Sequence, residues 1–427
     1  MITVSATNRV VFITQRFPPD KGGNAARMHD ITTNLSEWDV TVLSPPPSYP
    51  PGEFERSKKR KQTETVKDVT VHRLWTWQPT VENPSMSRRL AYYLTFGIHA
   101  MLWLLFNVRK YDVVVTSTPP ISTGAPGLLG KALGKPWVVD VRDLWIDASI
   151  SLDYLEAGSL IERISRRFQR RVLHSADRIA VTTETLGQKL TESYGEALAD
   201  KLVHIPNGVD IEQFQPCQEQ QTRMEVTANG GSTVESIPNG GKFTIIYTGN
   251  LGSSQDLESC IHAMEFVSTD ATLRLVGSGD VESELKRLVT ELEVDDRVTF
   301  DGLRPRSEIP SLLNRATIGI APLKSSDELE YAMPTKVYEY MGSGLPVLVT
   351  GRGEIERVIE DAECGVHVDN DPKQIAAAID ELLADERKLQ QFSTNGREYV
   401  ESNYDRKVIA AKLSDELTEL VRADSDG

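Results

Sequence analysis

The feature that most constrains this chain runs from an apolar stretch at residues 316–321, through Pro334, Thr335, Lys336 and Glu339, to a second apolar stretch at 346–349. Residues 316–321 read as a buried strand, and Pro334 stands where the first turn of a helix tolerates proline. The helix carries Lys336, Glu339 and Met341; Gly342 and Gly344 stop it, and Pro346 leads back into strand. A strand, helix and strand unit of this kind sets backbone N–H donors and one lysine at the carboxyl edge of a parallel sheet, where open α/β folds bind ligands. An anionic ligand is the natural occupant.

The rest of the chain repeats the theme. Residues 10–13, 40–43, 112–116, 137–141, 178–182 and 202–205 are short and rich in β-branched side chains, with helical stretches intervening, which predicts βαβ units and a parallel sheet. Strand 10–13 is followed by Gly22, Gly23 and a helix over 24–35; the pair is either an ordinary turn or a means of bringing free amides to a ligand. A second series opens at 243–248, with Gly249, Asn250 and Gly252 ahead of a helix near 256–267, and continues at 273–276 with Gly277 and Gly279. These glycines suit a phosphate site, and Gly277 and Gly279 equally suit a structural turn. A length of 427 residues accommodates two domains. The expected division is 1–215, a linker or insertion at 216–241 where Gln, Glu, Asn, Gly and Ser dominate, and 242–404, with a last helix at about 405–421 folding back on the first domain. Gly230 and Gly231 follow no strand and are not read as a phosphate loop.

The net charge of −15 argues against a general nucleic-acid binder. Cys217, Cys260 and Cys364 are far apart, without metal spacing, which fits a reduced intracellular setting. The opening apolar run, 10–14, is too short for a signal peptide. Residues 90–106 are strongly apolar but interrupted by Gly97 and His99, and short of the roughly 20 residues of a membrane span; they read as a buried or interfacial helix, with a span as the alternative. Basic residues cluster at Arg56, Lys58, Lys59, Arg60 and Lys61. A second group, Arg163, Arg166, Arg167, Arg170 and Arg171, is expected on one helical face, with Ile161, Ile164, Phe168 and Val172 on the other. Solvated surface explains such runs, and so does contact with anionic lipid. The expectation is a cytoplasmic protein, peripheral on the inner face of the cell membrane through its N-terminal domain.

Pro334 to Met341, followed by Gly344, Leu345, Pro346 and Val347, resembles the donor-site helix of family 4 retaining glycosyltransferases, and within it a subgroup with a Pro-Ser/Thr-Lys motif that acts on lipid-linked or cell-surface glycans. Phe17, Pro18, Pro19, Gly22, Gly23 and Arg27 resemble that family's phosphate- and acceptor-side loop, and Pro206, Asn207, Gly208, Val209 and Asp210 resemble the close of its first domain. The resemblance implies a GT-B fold: two Rossmann-like, doubly wound α/β domains facing a cleft. It implies transfer from a nucleotide-sugar to a glycan or lipid-linked acceptor with retention, needing no metal and no cofactor. Glu339 would bind the ribose, and Lys336 with the Thr335 end of the helix the diphosphate. Gly249, Asn250, Gly252, Gly277 and Gly279 would let the nucleotide approach, with Lys324 or Arg304 in support.

Arg142, Asp143 and Lys336 would serve catalysis, and Gly22, Gly23 and Arg27 the acceptor side. The sequence also departs from the family. A second glutamate of the pattern is replaced by Tyr331, with Glu330 one residue out of register, and the usual arginine and lysine of the first glycine loop are replaced by Asn250 and Gln255. Arg142 stands in place of a histidine; a guanidinium is no base at neutral pH but can hold a phosphate or carboxylate, or form a structural pair with Asp143. A nucleotide-sugar epimerase of the same architecture and a non-catalytic binding subunit are the competing readings.

Overall fold

A computed structural model of the protein describes residues 7–50, 53–56, 59–79, 85–151, 154–217 and 242–426. From residue 218 on, the expected linker lies outside the described residues, as does Lys58. The chain divides into two compact units, Met1–Asn207 with Arg406–Gly427, and Gly208–Asp405.

Unit 1 is built on an eight-stranded sheet. Its strands are β1 (Arg9–Ile13), β2 (Asp39–Ser44), β3 (Lys61–Val66), β4 (Val69–Leu74), β5 (Val113–Thr118), β6 (Trp137–Val141), β7 (Arg178–Val181) and β8 (Leu202–His204). The order is β3-β4-β2-β1-β5-β6-β7-β8, parallel except for the edge hairpin of β3 and β4. The strand order reverses between β1 and β5, where doubly wound sheets open a crevice at their carboxyl ends. The helix Arg406–Asp426 completes this unit: Ile409, Ala410, Leu413 and Leu417 share a core with Val10, Met28, Ile31 and Val113. Trp38 Nε1 donates to Ser414 Oγ at 3.0 Å, and Arg406 pairs with Asp30 at 2.9 Å.

Unit 2 contains β9 (Phe243–Thr248), β10 (Ala271–Val276), β11 (Val298–Gly302), β12 (Ile318–Ala321), β13 (Val347–Val349) and β14 (Gly365–His367). The sheet is parallel throughout, in the order β11-β10-β9-β12-β13-β14. This is the dinucleotide-fold order, with its switch point between β9 and β12. Unit 1 ends at Asn207 rather than at 215, because the following residues are built into unit 2. The Val209 amide donates to the Tyr404 carbonyl at 2.9 Å, and Phe214 is buried with Tyr340 and Met341.

Candidate functional site

At the switch point of unit 2 the loop after β9 lies against the loop after β10. The Gly249 amide donates to the Val276 carbonyl at 2.9 Å and the Leu251 amide to the Ser278 carbonyl at 3.0 Å. A Cβ on Gly277 would overlap the Gly249 carbonyl oxygen, and one on Gly279 the Leu251 carbonyl. Loop-to-loop packing therefore requires these two glycines by itself. Gly249 is different: its φ is +131°, and the atoms facing its missing side chain are Cε and Nζ of Lys336, 3.3 and 3.4 Å from where a Cβ would stand. Beside it, the missing side chain of Gly252 leaves room for the Asn250 amide.

Lys336 reaches this loop from the helix Thr335–Gly342, which follows β12. Two tyrosines fix the approach. The Tyr340 hydroxyl accepts from the Thr248 amide at 2.9 Å, and its ring fills the space that Gly319 leaves open in β12. The Tyr247 ring lies beneath Lys336, 3.7 Å from Nζ to the centroid, and Gln255 Oε1 accepts from Nζ at 3.0 Å. Burial among these uncharged groups pushes the ammonium down to about 7, against the opposing pull of the Glu339 carboxylate one turn on. Among the described residues no side chain caps the helix, so first-turn amides remain for a ligand beside Lys336.

Glu339 is 7% exposed, and Arg306 donates to its Oε1 at 2.7 Å. Arg306 also covers the Phe214 ring. Arg304, expected to support the diphosphate, is exposed, and Arg306, two residues on and also exposed, is the arginine that meets the helix. Thr335 is exposed at the helix start, and the Lys324 side chain is exposed while its amide donates to the Ser254 carbonyl at 3.1 Å. The Glu330 carbonyl accepts from the Glu354 amide at 2.7 Å, which fastens the Glu330 and Tyr331 segment to the start of the helix Glu354–Ala362.

In unit 1, Gly22 has φ +107° and Gly23 opens the helix Gly23–Asn34 with nothing within 4 Å of where its Cβ would be. Unlike Gly277, this pair is not demanded by a neighbouring backbone. Arg27 is buried. Its guanidinium donates to Asp140 Oδ1 at 2.7 Å and to the Ile205 and Pro206 carbonyls at 2.6 Å each. Asp140 also accepts from Ser117 Oγ at 2.8 Å. Arg142 donates to Ser117 Oγ at 3.1 Å and to the Pro119 carbonyl at 3.0 Å, and burial pushes it down to about 10 despite Asp140 at 3.8 Å. Asp143 is half-buried beside it. Among the described residues, no group of three His, Cys, Asp or Glu side chains is arranged to hold a metal ion.

A family model for glycosyl transferases group 1 matches residues 233–399, and one for a glycosyl transferase 4-like domain matches residues 22–208. The chain carries two glycosyltransferase domains on a GT-B fold. Similar proteins include WcaI of Escherichia coli (strain K12), provisionally named a colanic acid biosynthesis glycosyl transferase, 24% identical over 90% of this chain and 95% of WcaI. A GDP-mannose-dependent alpha-(1-6)-phosphatidylinositol monomannoside mannosyltransferase of Mycolicibacterium smegmatis is 24% identical over 96% of this chain and 98% of its own. Among solved structures, sucrose-phosphate synthase from Thermosynechococcus elongatus superposes with a TM-score of 0.71 at 18% identity, covering 97% of this chain and 100% of that one. Anabaena HepE in complex with UDP-glucose gives 0.66 at 16% identity over 96% and 99%.

Several residues that organise the transferase's site were not singled out from sequence. Tyr247 holds Lys336, together with Gln255, which the sequence marked only as standing in place of a lysine, and Arg306 holds Glu339. Asn370 joins three loop ends: its Nδ2 donates to the Leu323 carbonyl and Asp256 Oδ2 at 2.7 Å each and to Thr350 Oγ1 at 2.9 Å. Asp140 is the acidic partner of Arg27 and lies beside Arg142. A buried aspartate inside the apolar stretch 137–141 was the available signal for Asp140. Nothing in Arg304-Pro305-Arg306 chooses between its two arginines.

Proposed function

We propose that the transferase moves a sugar from a nucleoside diphosphate donor to a glycan or lipid-linked acceptor with retention of anomeric configuration, without a metal or other cofactor, in surface polysaccharide synthesis or protein glycosylation. The observation that carries this reading is the position of Lys336, beside the Gly249 backbone and at an uncapped helix start, in the unit whose strand order marks a nucleotide site. Charge grows on the diphosphate as the glycosidic bond breaks, and donors fixed in advance stabilise it best. Lys336 and the first-turn amides at Thr335 meet that demand, and Glu339, oriented by its hydrogen bond from Arg306, accepts from the ribose. Gly249, Asn250 and Gly252 leave the backbone open to the phosphates, while Gly277 and Gly279 hold that loop in place; Lys324 and Arg304 add positive charge at the rim.

Arg142 and Asp143 shape the sugar side, and Gly22 and Gly23 offer amides to the acceptor. Arg27 acts at one remove, through Asp140. The similar proteins named for a phosphatidylinositol acceptor and for colanic acid biosynthesis support a lipid or polysaccharide acceptor, and the HepE complex supports a nucleotide-sugar donor. On this reading the enzyme works in the cytoplasm, peripheral on the inner face of the membrane.

The test is incubation of purified protein with labelled nucleotide-sugars and a membrane lipid extract. Donor consumed only in the presence of extract, with label in the lipid fraction, supports transfer. Isomerised free donor would assign an epimerase, and tight binding without turnover a non-catalytic subunit.

A further inference from the structure

The helix Met86–Asn107 buries one stripe and leaves the opposite one in water. Tyr92, Phe96, Ala100 and Leu104, spaced four apart, are buried, whereas Leu90, Leu94, Ile98 and Leu102 on the other side are exposed and Phe106 at its end is 81% exposed. The helix is long and apolar enough to cross a membrane by length and composition. Crossing would withdraw Phe96 and Leu104 from unit 1, while lying flat would engage only the outer stripe. Two partly exposed tryptophans border that stripe. The Trp77 amide donates to Thr95 Oγ1 at 3.2 Å, and the Trp75 carbonyl lies 2.9 Å from His99 Nδ1. Such rings favour the boundary between hydrocarbon and headgroups.

The helix Leu160–Ser175 belongs to the same layer, because the helix Gly124–Ala132 packs against both. Its surface differs from the segregated one expected from sequence. At 100° per residue, Leu160 and Ile164 fall on the same face as Arg163, Arg167 and Arg171, and Gln169, Val172 and Leu173 form the buried side. Leu160 is 71% exposed. The three arginines are exposed, and their side chains make no hydrogen bond or ion pair among the described residues. Exposed guanidinium groups beside uncovered aliphatic side chains, on a chain of net charge −15, match a negatively charged, oily surface.

We propose that this layer of unit 1 docks on an anionic lipid bilayer, the outer stripe of the 86–107 helix entering the interface while Arg163, Arg167 and Arg171 meet the headgroups. The proposal deepens the reading of a lipid-linked acceptor and rests on it. Exposed arginines on one face favour this occupant over a second copy of an acidic chain, whose own matching face would bring the same cations together.

The experiment is co-sedimentation of the full chain with vesicles of phosphatidylglycerol or of phosphatidylcholine, alongside calorimetry with nucleoside diphosphates. The protein binds the anionic vesicles at least about tenfold more tightly than the neutral ones, and added salt weakens the binding. The double variant Ile98→Asp, Leu102→Asp abolishes it, and the triple variant Arg163→Gln, Arg167→Gln, Arg171→Gln lowers it about tenfold. Both variants keep the parent's melting temperature and nucleotide affinity. Wild-type binding no stronger than background, or undiminished in the variants, overturns the proposal. So does a dimer in sedimentation velocity that the aspartate pair dissociates, which assigns the face to a second copy. An unsubstituted chain that binds nucleotide but no anionic vesicles sinks the docking alone; vesicle binding by a chain with affinity for no nucleotide sinks the transferase reading and leaves the docking standing.

Discussion

The Lys336 ammonium lies 3.0 Å from the side-chain oxygen of Gln255, a neutral partner at a position where a carboxylate would have fixed its charge. Without that counter-charge, and with the Tyr247 ring beneath it, burial brings the lysine to about 7. The site is thus poised to gain a proton when an anion arrives.

A bound diphosphate favours the ammonium, so the pKa in the complex lies above the ligand-free value of about 7. Affinity for the nucleoside diphosphate therefore falls as pH rises above 7, by up to about tenfold per unit, and binding takes up a proton in that range. Calorimetry between pH 6 and 9 in buffers of different ionisation enthalpy reads both, and Lys336→Arg, whose charge does not titrate there, flattens the slope. In the ligand-free protein the sign for stability is the reverse of a salt bridge's. The unfolded lysine, at its ordinary 10.5, holds more protons than the native one from about 7 upward, so folding stability gains from this group as pH rises through that window. An affinity independent of pH would remove Lys336 from the phosphate site.

Lys336→Ala and Glu339→Ala should each lower kcat/KM by about 10²–10³ with melting temperatures close to the parent's, since each removes a group aimed at the donor rather than a core side chain. Steady-state kinetics beside thermal unfolding checks this. Undiminished turnover in both variants sinks the site assignment.

Gly277→Ala and Gly23→Ala should separate. The first puts a methyl group into the Gly249 carbonyl at φ +145°, and should cost about 2 kcal/mol or more of stability by denaturant unfolding. The second meets open space in a helical first turn and should stay within about 0.5 kcal/mol. Any loss of activity in Gly23→Ala then reports on the acceptor loop itself.

Arg27→Ala should destabilise unit 1 by about 3–5 kcal/mol, because it strands Asp140 as a buried charge and releases the Ile205 and Pro206 carbonyls. A residue that merely touched the acceptor would leave stability unchanged and raise the acceptor KM. Denaturant midpoints and acceptor titration distinguish the two.

The alternating strands of both sheets were legible because buried parallel strands are continuous apolar runs, as in 10–13, 137–141 and 316–321. The β3–β4 hairpin was not: Lys61–Val66 is an edge strand of polar, largely exposed residues that carries no apolar period and reads as a charged loop. Lys336 and Glu339 could be placed on one helix from spacing alone. Their partners could not, since Gln255, Tyr247 and Arg306 come from distant strand ends whose meeting depends on strand order. The face of the 160–175 helix was misjudged for a related reason. With Gln169 buried and Ile164 outside, the buried side follows its neighbours rather than the polarity of its own residues.

The helix Arg406–Asp426 has a consequence for how the chain is made. Unit 2 is one uninterrupted length of polypeptide and can fold as soon as it leaves the ribosome, while unit 1, begun first, waits for Ile409, Leu413 and Leu417 before its last apolar face is closed. The usual order of synthesis, first domain finished first, is inverted here. A truncation of the final twenty or so residues would uncover the interior of the amino-terminal half and leave the nucleotide-type sheet untouched.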